Sequence, residues 1–129
     1  MTNEMLIKEA KEAMKNAYSP YSKFSVGAAL LTTSGDVYTG CNIENSSYGA
    51  AICAERTAIV KAVSEGHVLD LCKIAIVSSN NSLTFPCGIC RQVLAEFMYN
   101  GIVVLEDKKE GIKEYRVEEL IPNTFLLKD

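Results

Sequence analysis

The chain has 129 residues, enough for one domain around a single core. Hydrophobic residues make up 48% and charged residues 22%, a globular balance that argues against a disordered chain. A net charge of -3 and an isoelectric point near 5.2 lack the basic footprint of a nucleic-acid binder, so a small ligand is expected and a nucleic-acid partner is not.

The first stretch, residues 4–17, places Leu6, Ala10, Ala13, Met14 and Ala17 at helical spacing with lysine and glutamate between them. It lacks the basic and apolar regions of a signal peptide. With no apolar run of membrane-span length, no membrane partner is expected and the cytoplasm is the expected compartment. Pro20 in "YSPYSKF" ends the helix and opens a loop. "SVGAALLTT" and "VYTGCNI" flank the turn-forming "SGD", which predicts an antiparallel hairpin over residues 25–33 and 37–43. "ENSSYGAAI" is a loop of small and polar residues. A helix is predicted over 53–65, stopping at Gly66, then a buried-type strand over 72–79. "NNSLTFP" reads as loop, and "CGICRQVLAEFMYN" as a helix with Val93, Leu94, Phe97 and Met98 inward and Gly101 past its end. "IVVLED" is a further strand, "KKEG" a turn, "IKEYRV" a fifth strand and "EELI" a short helix before Pro122. This order predicts a central mixed sheet with helices on both faces, in a single domain over 1–129.

Five cysteines are many for so short a chain, and the number is odd. A reducing compartment argues against a disulfide framework, which leaves metal binding or catalysis for some of them. Cys87 and Cys90 form a C-x-x-C at a helix start after Pro86, so both sulfurs lie on one helix face. The spacing alone suits a metal, a redox pair or two plain buried thiols. Cys53 stands at another helix start, and helix starts cluster at the strand ends where α/β sites form. Three thiolates leave zinc's fourth position open, as in a catalytic site. The only histidine, His67, follows the far end of the Cys53 helix, ~20 Å away at 1.5 Å rise per residue, and reads as a loop residue. Cys41 and Cys72 fall in predicted strands and read as small buried thiols.

Three thiolates on a dication make an anionic centre. Both helix N-termini oppose that charge, as does Arg56, three residues after Cys53 and on its face. Cys53 and Glu55 point to nearly opposite sides of an ideal helix, so they share a site only above the helix tip, beside backbone N–H groups such as that of Ala54. A carboxylate there can take a proton from an activated water and return it to a leaving group. Without the cysteines, Glu55 reads simply as an acid favouring a helix N-terminus.

C-A-E followed by P-C-x-x-C resembles the zinc-dependent nucleoside and nucleobase deaminases. "PYSKFSVGAAL", "GCNIENSSY", "CAERTA" and "PCGICRQ" together look like the small homotetrameric cytidine deaminases, over about residues 18–125. Histidine-ligated relatives acting on tRNA adenosine, deoxycytidylate or polynucleotides fit less well, because Cys53 stands where they carry histidine. The resemblance implies a three-layer α/β/α sandwich with a mixed five-stranded sheet. It implies one zinc ion per subunit on Cys53, Cys87 and Cys90, with Glu55 as proton shuttle. Asn42 and Glu44 would bond the ribose, chiefly its 3′-hydroxyl; from the residues alone they could equally end a strand facing water. Phe24 would line the base and sugar pocket, where the hairpin core is the other reading. Phe125 would stack on the base in a neighbouring subunit's site, and Tyr48 would reach across a subunit interface. The implied reaction converts cytidine or deoxycytidine to the uridine product and ammonia, for pyrimidine salvage; a related cytosine nucleoside such as blasticidin S is the alternative substrate. Read without the resemblance, a zinc-stapled binding module and a thiol redox protein remain open.

Overall fold

The computed structural model describes residues 1–127. The elements run α1 (Asn3–Met14), β1 (Val26–Thr32), β2 (Val37–Cys41), a 3-10 turn (Tyr48–Ala50), α2 (Ala54–Ser64), β3 (Leu71–Ser78), α3 (Gly88–Met98), β4 (Ile102–Asp107), β5 (Gly111–Arg116) and α4 (Val117–Leu120). Among the described residues no helix is long and apolar enough to cross a membrane.

The sheet order is β2-β1-β3-β4-β5. Only β3 and β4 pair in parallel; the other neighbours are antiparallel. A parallel pair needs a crossover, and α3 provides it. Side chains alternate across the strands, and this period of two divides the core. Ala28, Leu30, Ile74, Ile76, Val103 and Leu105 face α2, α3 and α4. Ala29, Ala75, Val77 and Val104 face Leu6, Ile7 and Ala10 of α1. The result is a three-layer α/β/α sandwich with a mixed five-stranded sheet.

Helix α1 begins at Thr2, whose hydroxyl accepts from the Met5 amide at 3.2 Å, the usual way to satisfy an early N–H. It ends before residue 17. Residues 15–17 leave through turn bonds, and the Tyr18 amide donates to the Asn42 carbonyl at 3.0 Å, drawing the chain to the end of β2. Strand β2 stops at Cys41 rather than 43, because Ile43 pairs instead with Ile52 in an isolated bridge.

Cys41 and Cys72 are half-buried rather than enclosed. Burial raises both thiol pKa values, and Cys72 donates to the Leu31 carbonyl at 3.3 Å. His67 lies in a loop, yet it joins two turns. Its Nδ1 is 2.7 Å from Asp70, its Nε2 is 3.6 Å from Asp36, and its ring centroid is 5.3 Å from that of Tyr38.

Two glycines set how closely helices approach the sheet. A Cβ on Gly40 would meet the Ala54 carbonyl oxygen at 2.5 Å and the Ala58 nitrogen at 2.6 Å, both backbone atoms of α2. A Cβ on Gly27 would collide with the Ala10 carbonyl of α1. Gly40→Ala and Gly27→Ala therefore each lower unfolding stability by about 1–3 kcal/mol, the usual cost of overpacking. Urea denaturation checks this, with Gly49→Ala, which meets nothing within 4 Å, staying near wild type.

Candidate active site

Helices α2 and α3 pack on one face of the sheet and begin at the same end of it. Cys53 is the capping residue of α2 and Cys87 that of α3, both with extended backbone; Cys90 lies in the first turn of α3. Cys53 therefore stands at the tip of α2, where a site above the helix end admits both it and Glu55. The three sulfur atoms lie within 4.8 Å of one another, with Cys53 and Cys87 at 3.9 Å. Cys90 is buried, Cys53 half-buried and Cys87 exposed, so the cluster opens to solvent on the Cys87 side.

Local structure delivers each ligand. Ile43 and Ile52 exchange two backbone bonds of 3.0 Å, which closes the loop 43–52 and brings the chain back to Cys53. The Thr57 hydroxyl bonds the carbonyls of Cys41 and Cys53, both at 3.1 Å, fastening the first turn of α2 to the end of β2. Buried Pro86 leads into Cys87.

The donor set suits zinc. Two thiolates each about 2.3 Å from a tetrahedral zinc lie about 3.8 Å apart, close to the spacing found between Cys53 and Cys87. Soft sulfur donors also favour this ion over magnesium or calcium. Three protein ligands leave one position for a small oxygen ligand.

The surrounding charges are arranged for thiolates. Cys53 is pushed down to about 5, first by donation from the Cys90 thiol, then by Arg56 and Cys87, against the opposing effect of burial. Cys90 is pushed well up because it is the donor to Cys53, with burial adding to the effect. Arg56 Nη2 is 3.6 Å from the Cys53 sulfur, and its own pKa is raised by that bond. Its buried Nε has no hydrogen-bond partner among the described residues.

Glu55 is only 4% exposed. Burial pushes its carboxyl up to about 7 and the Cys53 charge adds to the rise; its own backbone amide, Arg56 and Cys90 oppose it. A carboxyl poised near neutrality can both accept and donate a proton. Ala54 is fully buried, its methyl packed in the core between α2 and the sheet.

A cavity of about 400 Å³ adjoins the cluster, lined by Asn42, Glu44, Tyr48, Cys53, Arg56 and Ile89 among others. That size lies within the range of roughly 300–1,000 Å³ of small-molecule sites. Phe24 stands outside this lining, half-buried against the core with its carbonyl accepting from Asn42. The Asn42 amide is already employed: Oδ1 accepts from the Val26 amide at 2.9 Å and Nδ2 donates to the Phe24 carbonyl at 2.8 Å. One Nδ2 hydrogen remains to donate. Glu44 accepts from the amides of Tyr21 at 2.9 Å and Ser22 at 3.1 Å and from the Ser22 hydroxyl. The Ser22 side chain is the first cause of its lowered pKa. Tyr48 and Phe125 are 79% and 69% exposed, so neither ring is enclosed within the chain.

Sequence reasoning missed Ser22 and Tyr21, which hold Glu44, and Arg91 and Gln92, which bond Pro86, Leu120 and Phe125. "PCGICRQ" already carried the last two, but their acceptors lie up to 33 residues away. Phe85, just before Pro86, packs edge-on against Tyr115 with centroids 5.1 Å apart.

Residues 1–106 match the model of the cytidine and deoxycytidylate deaminase zinc-binding region. The chain belongs to that deaminase family. Cytidine deaminase of Sporosarcina psychrophila is 49% identical over all of this chain and 95% of the relative. Its counterpart in Halalkalibacterium halodurans is also 49% identical, over all of this chain and 98% of the relative. The crystal structure of cytidine deaminase from Burkholderia pseudomallei superposes with a TM-score of 0.92 at 42% identity, covering 97% of this chain and 100% of that one. Zinc is the metal of this deaminase family region, and the three thiols meet its requirements.

Two outcomes follow for this deaminase. Cys87→Ala removes stoichiometric zinc, read by elemental analysis, because two thiols with no third cannot complete the set. In the metal-stripped protein, Glu55 keeps its proton up to about 7 when folded, against 4.5 for an ordinary glutamate. The native state then binds more protons between those values. The Glu55 contribution is complete below pH 4.5 and lost as pH rises through 7, amounting to no more than about 3 kcal/mol. Cys53 is shifted the other way and adds stability as pH rises, so the Glu55 share is read as the difference between wild type and Glu55→Gln. Urea denaturation in chelator at acid and alkaline pH measures it.

Proposed function

We infer that this chain catalyses the hydrolytic deamination of cytidine and deoxycytidine to uridine and deoxyuridine with release of ammonia. The observation that carries the reading is the buried Glu55 beside three clustered thiols at two helix tips. Cys53, Cys87 and Cys90 would hold zinc, which when bound supplies the Lewis acidity that makes a water nucleophilic near neutral pH. Glu55 takes the proton of the attacking water and passes it to N3 of the cytosine ring, which draws electrons away from C4. Oxygen adds at C4. Glu55 then carries the second proton to the amino nitrogen, the C4–N bond breaks, and ammonia leaves a C4 carbonyl behind. Burial suits Glu55 to this task because neither protonation state is held too tightly.

Arg56 bears the charge of the thiolate cluster. Asn42 offers its spare Nδ2 hydrogen, and Glu44, held ionised by Ser22, accepts from a ribose hydroxyl. Contacts aimed at the 3′-hydroxyl admit both ribose and deoxyribose. Phe24, half-buried beside Asn42, closes the sugar side, and the Ala54 backbone faces the base.

The active form is a homotetramer with shared sites. Support comes from Tyr48 and Ile89, exposed large side chains that line the cavity, and from exposed Phe125, whose backbone carbonyl is held to α3 by Gln92. Phe125 stacks on the base in a neighbour's site, and Tyr48 spans the interface. Residues 1–129 act as a single domain. The role is pyrimidine salvage in the cytoplasm, where a cluster of three reduced cysteines persists.

An assay of cytidine, deoxycytidine, cytosine and adenosine, with zinc measured in the same sample, tests this reading. The two cytosine nucleosides turn over; fully loaded protein inert on both sinks it. Glu55→Ala keeps its zinc and loses roughly 10²–10⁴-fold or more in turnover, and near-normal activity removes the shuttle role.

A further inference from the structure

Arg91 lies one turn into α3, and its guanidinium joins two segments distant in the chain. Nε donates to the Pro86 carbonyl at 2.7 Å, and Nη1 donates to the Leu120 carbonyl at 2.8 Å. Pro86 is buried and directly precedes Cys87. Leu120 ends α4, and beyond it the Thr124 hydroxyl donates to the Ile121 carbonyl. The neighbour of Arg91, Gln92, donates from Nε2 to the Phe125 carbonyl at 2.8 Å. Two adjacent side chains of one helix thus grip the cysteine loop and the segment that carries Phe125.

The first of these bonds acts on a rotation that matters. The Pro86 carbonyl belongs to the peptide plane shared with Cys87, and turning that plane re-aims the Cys87 side chain. The proline ring fixes one torsion on its near side, and the Arg91 bond restrains the other. A planar guanidinium holds its two acceptors in a set relation to each other. Movement of the Pro86 carbonyl is therefore felt at Leu120, and through the short turn after it at Phe125.

We propose that Arg91 and Gln92 are positioning residues that couple the Cys87 loop to the placement of Phe125, so that zinc loading in one subunit sets the segment serving its neighbour. The proposal rests on the functional reading of Cys87 as a zinc ligand and of Phe125 as a stacking residue.

The chain has no tryptophan, so Phe125→Trp installs a single emitter at the segment in question. Its fluorescence is recorded in zinc-loaded and chelator-stripped protein, with and without a change at Arg91 or Gln92. Expected is an emission change on stripping that disappears in the Arg91→Ala and Gln92→Ala backgrounds. Without the reporter, Arg91→Ala loses zinc to a chelator on the order of 10-fold faster, as when groups that orient metal ligands are removed. Gln92→Ala loses zinc at the wild-type rate but raises KM for cytidine several-fold. Where Arg91→Ala fails to fold, Arg91→Lys serves: a single ammonium cannot bridge both carbonyls, and the emission change shrinks. A reporter without an emission change, one whose change persists in either folded background, or a wild-type rate of zinc loss in Arg91→Ala overturns the proposal. Zinc loss and emission are read without substrate, so they decide the coupling even if the chain proves inert on cytidine. That result would sink the functional reading alone.

Discussion

Everything at this site depends on bringing three negative sulfur atoms together without leaving their charge exposed to itself. Two helix starts placed side by side meet that need, since each presents a positive end and unpaired backbone donors. The sandwich is what makes such a meeting possible. The crossover between β3 and β4 carries α3 onto the same face as α2, and Gly40 lets α2 settle against β2 at backbone distance. The bridge between Ile43 and Ile52 then places Cys53 at the tip. Arg56 completes the balance with a fixed cation that no change of pH in the working range removes.

Two glutamates eleven positions apart are driven in opposite directions. Ser22 and two backbone amides hold Glu44 ionised, whereas burial beside Cys53 lifts Glu55 to about 7. The first is a steady acceptor that keeps a geometry; the second is poised to gain or lose a proton near neutrality. Environment, not residue type, separates the two roles.

The element order and sheet alternation were readable from the sequence because hydrophobic period and turn residues are local signals. So were the cysteines, whose spacing within each helix start is short. Strand and helix ends shifted where distant pairings intervened, as when Tyr18 and Asn42 ended α1 early. The fate of Asn42 and Glu44 was hidden for the same reason. Their partners sit in residues 21–26, the loop and first residue of β1, and no spacing rule links "YSKF" to "NIEN". Arg91 was hidden further still. Its nearer acceptor is five residues back and its other one 29 ahead, a connection that exists only once α4 has packed against α3. The half-buried state of Cys41 and Cys72 likewise depends on an edge strand and on a strand end, not on composition.

His67 sits past the far end of α2, between Asp36 and Asp70, a full helix length from the sulfurs. The one imidazole in the chain is thus a resident of the opposite pole. Reagents or nuclear resonances that report on imidazole here observe the hairpin turn and its neighbour, never the reaction centre.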